Sequence, residues 1–150
     1  MKRILILHGV NLNMFGKRDP KYYGKFTLAD LNAKLVELGK ELGVEVICFQ
    51  TNHEGEMCER IHRAFDEKID AVVINPGGWS HNSVPVRDAL MILTVPIMEV
   101  HVSNNQKREE FRRHSMISDI ARGYIAGFGI DSYLLGLRAA VSAASEMRQP

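Results

Sequence analysis

Glu99, His101 and Ser103 alternate at the end of the apolar segment Ile97 to Val102. Alternate residues of a strand share a face, so one face would carry a carboxylate, an imidazole and a hydroxyl. A carboxylate two residues from a histidine in a buried strand accepts one ring N–H and fixes the tautomer. That pairing suits a general acid. A buried Glu–His pair that only satisfies itself is the structural alternative, and metal ligation together with His81 is another. Metal is the weaker of these, because no H-E-x-x-H pattern or Cys/His cluster accompanies the two histidines.

Basic and phenolic residues complete the candidate set. Lys107, Arg108, Arg112 and Arg113 follow His101 within a segment, 106 to 114, whose spacing predicts a helix with Arg108 and Arg112 one turn apart. Such a run is usually a solvated face, but beside His101 it could hold a carboxylate or polarise a phenol. Arg18, Tyr22 and Tyr23 lie in a polar stretch, 9 to 26, long enough to be a lid. A free phenol is ionised in about one molecule in a thousand at neutral pH, and each unit of depression takes about 1.4 kcal/mol. Neighbouring arginines are a source of that stabilisation, although a loop tyrosine is more often a packing residue. Asp88 follows Arg87 and reads equally as a surface ion pair or a hydroxyl-binding carboxylate.

The elements that must position these groups are legible as alternating strands and helices. Apolar runs at 4–7, 44–49, 71–74, 97–102 and 124–128 have strand length and are bounded by Gly, Pro, Asn or Asp. Helix-period segments at 28–42, 55–67, 83–93, 106–114 and 131–147 separate them. In the first, Leu28, Leu31, Leu35, Leu38 and Leu42 form a stripe, Thr27 and Asp30 offer caps, and Gly43 stops it. This pattern predicts an α/β fold, a flavodoxin-like doubly wound five-stranded parallel sheet with helices on both faces. Ligands of such sheets bind beyond the carboxyl ends of the strands. There stand Asn11 and Asn13, then Gln50, Thr51, Asn52 and Glu54, then Asn75, Gly77, Gly78, Ser80 and His81, then His101 to Asn105. Turn chemistry explains Asn and Gly, but not two histidines and a glutamine. A flavin or receiver module of the same architecture is disfavoured. No acid follows the first strand, and Gly127-Phe-Gly129 lacks the third glycine of a phosphate loop.

Composition sets the outer limits. The 150 residues contain no repeat or linker and read as one domain, 1–150. With 45% hydrophobic and 25% charged residues the chain is ordinary globular protein. A net charge of +1 leaves no footprint for nucleic acid or an anionic membrane. Cys48 and Cys58 make neither a zinc ribbon nor a disulfide framework. The first apolar run stops at His8, too short for a signal peptide or a membrane span. The expected compartment is the cytoplasm.

Four ordered motifs resemble those of the type II 3-dehydroquinate dehydratases. Gly9-Val-Asn-Leu-Asn-Met-Phe-Gly-Lys-Arg-Asp-Pro-Lys-Tyr-Tyr-Gly24 is similar to the family opening, and Gln50-Thr-Asn-His-Glu-Gly55 to its second element. Asn75-Pro-Gly-Gly-Trp-Ser-His-Asn-Ser83, with Arg87-Asp-Ala89, and the run from Glu99 to Ser115 complete the set. The resemblance implies elimination of water from 3-dehydroquinate to give 3-dehydroshikimate, through an enolate and without metal or cofactor. That reaction serves both aromatic biosynthesis and quinate breakdown. Tyr23 looks like the base, His101 like the acid, Asn11 like the residue that orients a water on the enolate oxygen, and Arg18 like the lid arginine. Arg108 matches an arginine near the base. Asn75, His81, Asp88 and Arg112 match substrate contacts, and the N–H groups of Val102 and Ser103 match a carboxylate-binding turn. Glu99, Gly77 and Gly78 are implied as supporting residues. The counterpart of Asp88 comes from a neighbouring subunit, which implies trimers assembled into a dodecamer. Val10, Gly78-Trp79, Asn82 and Asp19 depart from the family pattern, and Trp79 is expected to change bulk near the substrate contacts.

Overall fold

The structure, a computed structural model, describes residues 1–147. Five strands, β1 (Lys2–His8), β2 (Val44–Gln50), β3 (Ala71–Asn75), β4 (Ile97–His101) and β5 (Gly123–Ala126), form one parallel sheet in the order β2-β1-β3-β4-β5. The chain moves outward from β1 to β2, then returns past β1 to lay down β3, β4 and β5. That reversal opens a crevice at the carboxyl ends of β1 and β3, where doubly wound sheets bind ligands. The expected fold class is therefore the observed one.

Alternation along the strands feeds two cores. Ile4, Ile6, Val73, Met98 and Val100 point to one face, where Leu31, Leu35 and Leu38 of α2 (Leu28–Leu42) and Tyr133, Leu137 and Ala140 of α5 (Ile130–Met147) cover them. Leu5, Leu7, Val72, Ile74 and Ile97 point to the other, against Met57, Ile61 and Ala64 of α3 (Glu54–Asp66) and Val86, Ala89 and Leu90 of α4 (Val84–Ile92). Thr27 caps α2 reciprocally: its Oγ1 accepts from the Asp30 N–H at 3.1 Å, and the Asp30 carboxylate accepts from the Thr27 N–H at 3.0 Å. Gly43 ends the helix at φ +73°.

One expectation needs correcting. The segment 106–114 is not one helix but two 3-10 turns, Asn105–Lys107 and Glu110–Arg113, with Arg108 extended between them at φ −111°. Phe111 is its lone apolar side chain and is exposed, so a helix there would have no face to bury. The polar stretch 9–26 is structured, with a 3-10 turn at Leu12–Met14 and a short helix α1 (Pro20–Tyr23) capped by Asp19. Buried Leu12 and Phe15 anchor it, and Phe15 packs on Phe26 at 4.9 Å. The polar end, 146–150, predicts fraying; 146 and 147 form the last turn of α5, and 148–150 lie outside the described residues.

Candidate active site

The carboxyl ends of β3 and β4, with α1 lying over them, line one cleft. Its walls include Arg18, Tyr23, Asn75, Gly77, Gly78, His81, His101, Val102, Ser103, Arg108 and Arg112. A roomier groove of about 430 Å³ between α2 and α5 is lined by Lys34, Glu37, Asp131 and Arg138, charges of both signs without this convergence.

His101 is held from behind. Its Nε2 lies 2.6 Å from the fully buried Glu99 carboxylate, so Nδ1 is the ring nitrogen left for a ligand. Ser115 and Ser118 hydroxyls also donate to Glu99. The carboxylate is thus paired and hydrogen-bonded, as a buried charge requires. Ser103 lies beyond the end of β4 but lines the same cleft as His101, and its hydroxyl donates to Asn105 Oδ1 at 3.0 Å.

Tyr23 is surrounded by guanidinium groups. Arg108 Nη1 donates to its phenol oxygen at 2.9 Å and to Ser103 Oγ at 3.2 Å. The Arg18 guanidinium stacks on the Tyr23 ring 3.7 Å from its centroid, and Tyr22 faces Arg108 at 4.0 Å. Burial lowers the pKa of Arg18, opposed by attraction to Tyr23 and reinforced by repulsion from Arg108 and Arg112. Arg112 is tied to Glu109, whose carboxyl is lowered by that hydrogen bond. Burial also lowers the pKa of His81, against its bond to the His114 carbonyl at 2.9 Å. A carbonyl only accepts, so Nδ1 carries the proton and Nε2 is left as an acceptor.

Glycine at 77 is required twice. Its φ is +61°, and a Cβ there would stand 2.7 Å from the Val10 carbonyl oxygen. Gly78 is unrestricted: a Cβ there would meet nothing within 4 Å.

Not every candidate converges on the cleft. Asn11 is exposed at its rim at φ +69°, its N–H donating to Asn52, and it is Leu12 that lines the wall. Asp88 is exposed on α4 and lies outside the cleft of its own chain. Trp79 does not change the bulk of the cleft wall; its side chain packs into the apolar layer under α3 and α4. Gln50, Thr51 and Glu54 serve the framework, bonding the Gly9 carbonyl, Glu56 and Ser83 respectively. Conversely, Leu12 and Asn105 line the site, while Ser115 and Ser118 support it. Ser115 closes the fourth motif, whereas nothing in the sequence marks Ser118.

Among the described residues, no three His, Cys, Asp or Glu side chains gather as metal ligands, and no helix is long and apolar enough to cross a membrane.

Comparison with known proteins gives one answer. Residues 2–141 match the family model described as dehydroquinase class II. The chain is 61% identical over 140 residues to a 3-dehydroquinate dehydratase of Syntrophotalea carbinolica, covering 93% of this chain and 95% of the relative. It is 63% identical over 139 residues to that of Leptothrix cholodnii, covering 93% of each. The crystal structure of a type II dehydroquinase from Propionibacterium acnes superposes with a TM-score of 0.91 at 46% identity, over 95% of this chain and 97% of that one. A motif match over nearly the whole chain, high identity and a shared fold agree: this chain belongs to the class II dehydroquinase family.

Proposed function

We propose that the cleft converts 3-dehydroquinate to 3-dehydroshikimate and water through an enolate, with Tyr23 as base and His101 as acid. The contact of the Tyr23 phenol oxygen with Arg108 at 2.9 Å, in the cleft that also holds the Glu99-bound His101, carries this reading. Tyr23, with the Arg108 and Arg18 guanidinium groups set against its phenol, takes the proton α to the ketone. The C–H electrons move onto the carbonyl oxygen, where a water oriented by Asn11 stabilises the enolate. The enolate then expels the β hydroxyl as His101 delivers a proton from Nδ1, releasing water. Return of the proton from Tyr23 to His101 through solvent resets the site, so the balance closes without a cofactor.

Binding follows the same logic. Arg112 and the N–H groups of Val102 and Ser103 receive the substrate carboxylate, while Asn75 and the acceptor nitrogen of His81 meet its hydroxyls. Arg18 closes the charge around the reacting atoms. Asp88 acts from a neighbouring copy in a trimer, four trimers making a dodecamer. Val84, Asp88, Met91 and Ile92 recur along α4 as one exposed stripe, with Met91 56% and Ile92 49% exposed, as an unpartnered interface would be. The unpaired Cys48 and Cys58 suit a reducing cytoplasm.

The test mixes chelator-treated protein with 3-dehydroquinate and follows the ultraviolet absorbance of the conjugated enone. A rise that persists under chelation and falls well over tenfold in kcat for Tyr23→Phe and for His101→Ala is expected, since acid–base groups contribute about 10² to 10⁴. No rise from folded, assembled protein, or unchanged turnover in either variant, contradicts the assignment.

A further inference from the structure

His8, at the end of β1, stands opposite Asn75, at the end of β3. Both point into the layer covered by α2 and α5, continuing the alternation of Ile6 and Val73. The His8 ring is fully buried, with Nε2 2.8 Å from Asn32 Oδ1 and Nδ1 2.9 Å from the Tyr133 hydroxyl. Tyr133, also fully buried, shares a hydrogen bond with the Asn75 carboxamide.

One fixed donor sets the direction of this line. The Gly77 backbone N–H can only donate, and it meets Asn75 at 3.1 Å, so that end of the carboxamide is Oδ1. The other end, Nδ2, therefore donates to Tyr133. Tyr133 sends its own O–H to His8 Nδ1, and the ring sends its Nε2–H to Asn32. Burial keeps that ring neutral, lowering its pKa to about 4, and raises the Tyr133 hydroxyl so that it stays a donor. Asn75 retains one Nδ2–H and one Oδ1 lone pair for the cleft it lines.

We propose that His8 and Tyr133, neither of which lines the cleft, are positioning residues that hold the Nδ2 end of the Asn75 carboxamide, as the Gly77 N–H holds its Oδ1 end, and so keep the amide in place for the substrate. The inference rests on Asn75 as a substrate contact. Without the line, the amide is held at its Oδ1 end alone and turns more freely about its side-chain bonds, weakening recognition of a hydroxyl without touching proton transfer.

The test is steady-state kinetics on Tyr133→Phe, Asn75→Ala and their double variant. Tyr133→Phe conserves volume apart from the hydroxyl and should raise KM about three- to tenfold with kcat within about twofold, the range for one lost hydrogen bond. In the Asn75→Ala background it should add nothing, because it acts through that amide. His8→Gln carries a donor and an acceptor and should keep KM within about twofold of the parent, whereas His8→Leu should copy Tyr133→Phe. Parent-like KM in Tyr133→Phe beside an impaired Asn75→Ala, or losses that add in the double variant, overturns the proposal alone. Parent-like kinetics in Asn75→Ala overturns the assignment of Asn75 as a substrate contact and this proposal with it.

Discussion

Three donors converge on Glu99: the His101 ring and the hydroxyls of Ser115 and Ser118. A carboxylate can accept from all of them, but glutamine would turn an N–H₂ toward at least one. Glu99→Gln is therefore expected to lower kcat about tenfold or more while leaving KM nearly unchanged, checked by initial rates on protein whose folding is verified by circular dichroism. Equal kcat would mean that the pairing serves packing only. Glu99 and His101 were legible in sequence because a strand's alternation puts positions 99 and 101 on one face whatever surrounds them. The role proposed for Tyr23 was not legible from the residues alone. Its meaning depends on Arg18 and Arg108, five and 85 positions away, and only motif resemblance joined them beforehand.

At the scale of elements, the cleft floor depends on the turn after β3. Gly77 sits at φ +61° with the Val10 carbonyl against it, so Gly77→Ala must either strain the turn or push Val10 and the neighbouring Asn11 outward. The expected result is a fall in kcat/KM of about tenfold or more together with a lower Tm. Gly78→Ala, with open space for its methyl, should do neither, and a parallel thermal melt and rate measurement separates the two. The predicted helix at 106–114 shows why charge spacing alone misleads. Arg108 and Arg112 have helical spacing, but the segment offers no apolar stripe. Local bonds shape it instead: Asn104 caps the first turn and Arg112 ties to Glu109 in the second. Helix 28–42 was legible to the residue because stripe, capping box and terminal glycine all agree.

For the whole molecule, the sheet brings a titrating group into the stability of the fold. His8 has its pKa lowered to about 4 from an ordinary value of 6.5, chiefly by burial. The folded protein therefore binds fewer protons than the unfolded chain between those values. Stability contributed by the neutral ring is present above pH 6.5, declines as pH falls toward 4, and totals about 3 kcal/mol at most. Denaturant melts of the parent between pH 7 and pH 4 should show this loss, and His8→Gln should remove that part of it. An identical pH slope in both proteins would contradict the account of His8. Assembly belongs to this scale as well. The α4 stripe around Asp88 predicts a multimer by native mass spectrometry, and Asp88→Asn should impair kcat/KM while the assembly remains intact. The five-stranded parallel α/β architecture was legible from the alternation of strands and helices. The role proposed for Asp88 was not legible from the residues, because nothing in one chain brings it to a cleft.

The most direct test of the acid–base assignment separates proton abstraction from elimination. In deuterated water, an enzyme lacking its acid still forms the enolate and returns a deuteron to the carbon beside the ketone, whereas one lacking its base does not. Nuclear magnetic resonance of 3-dehydroquinate incubated with each variant reads this exchange. The account predicts exchange without dehydration in His101→Ala and neither reaction in Tyr23→Phe. Undiminished exchange in Tyr23→Phe, or its loss in His101→Ala while Tyr23→Phe retains it, would contradict the assignment.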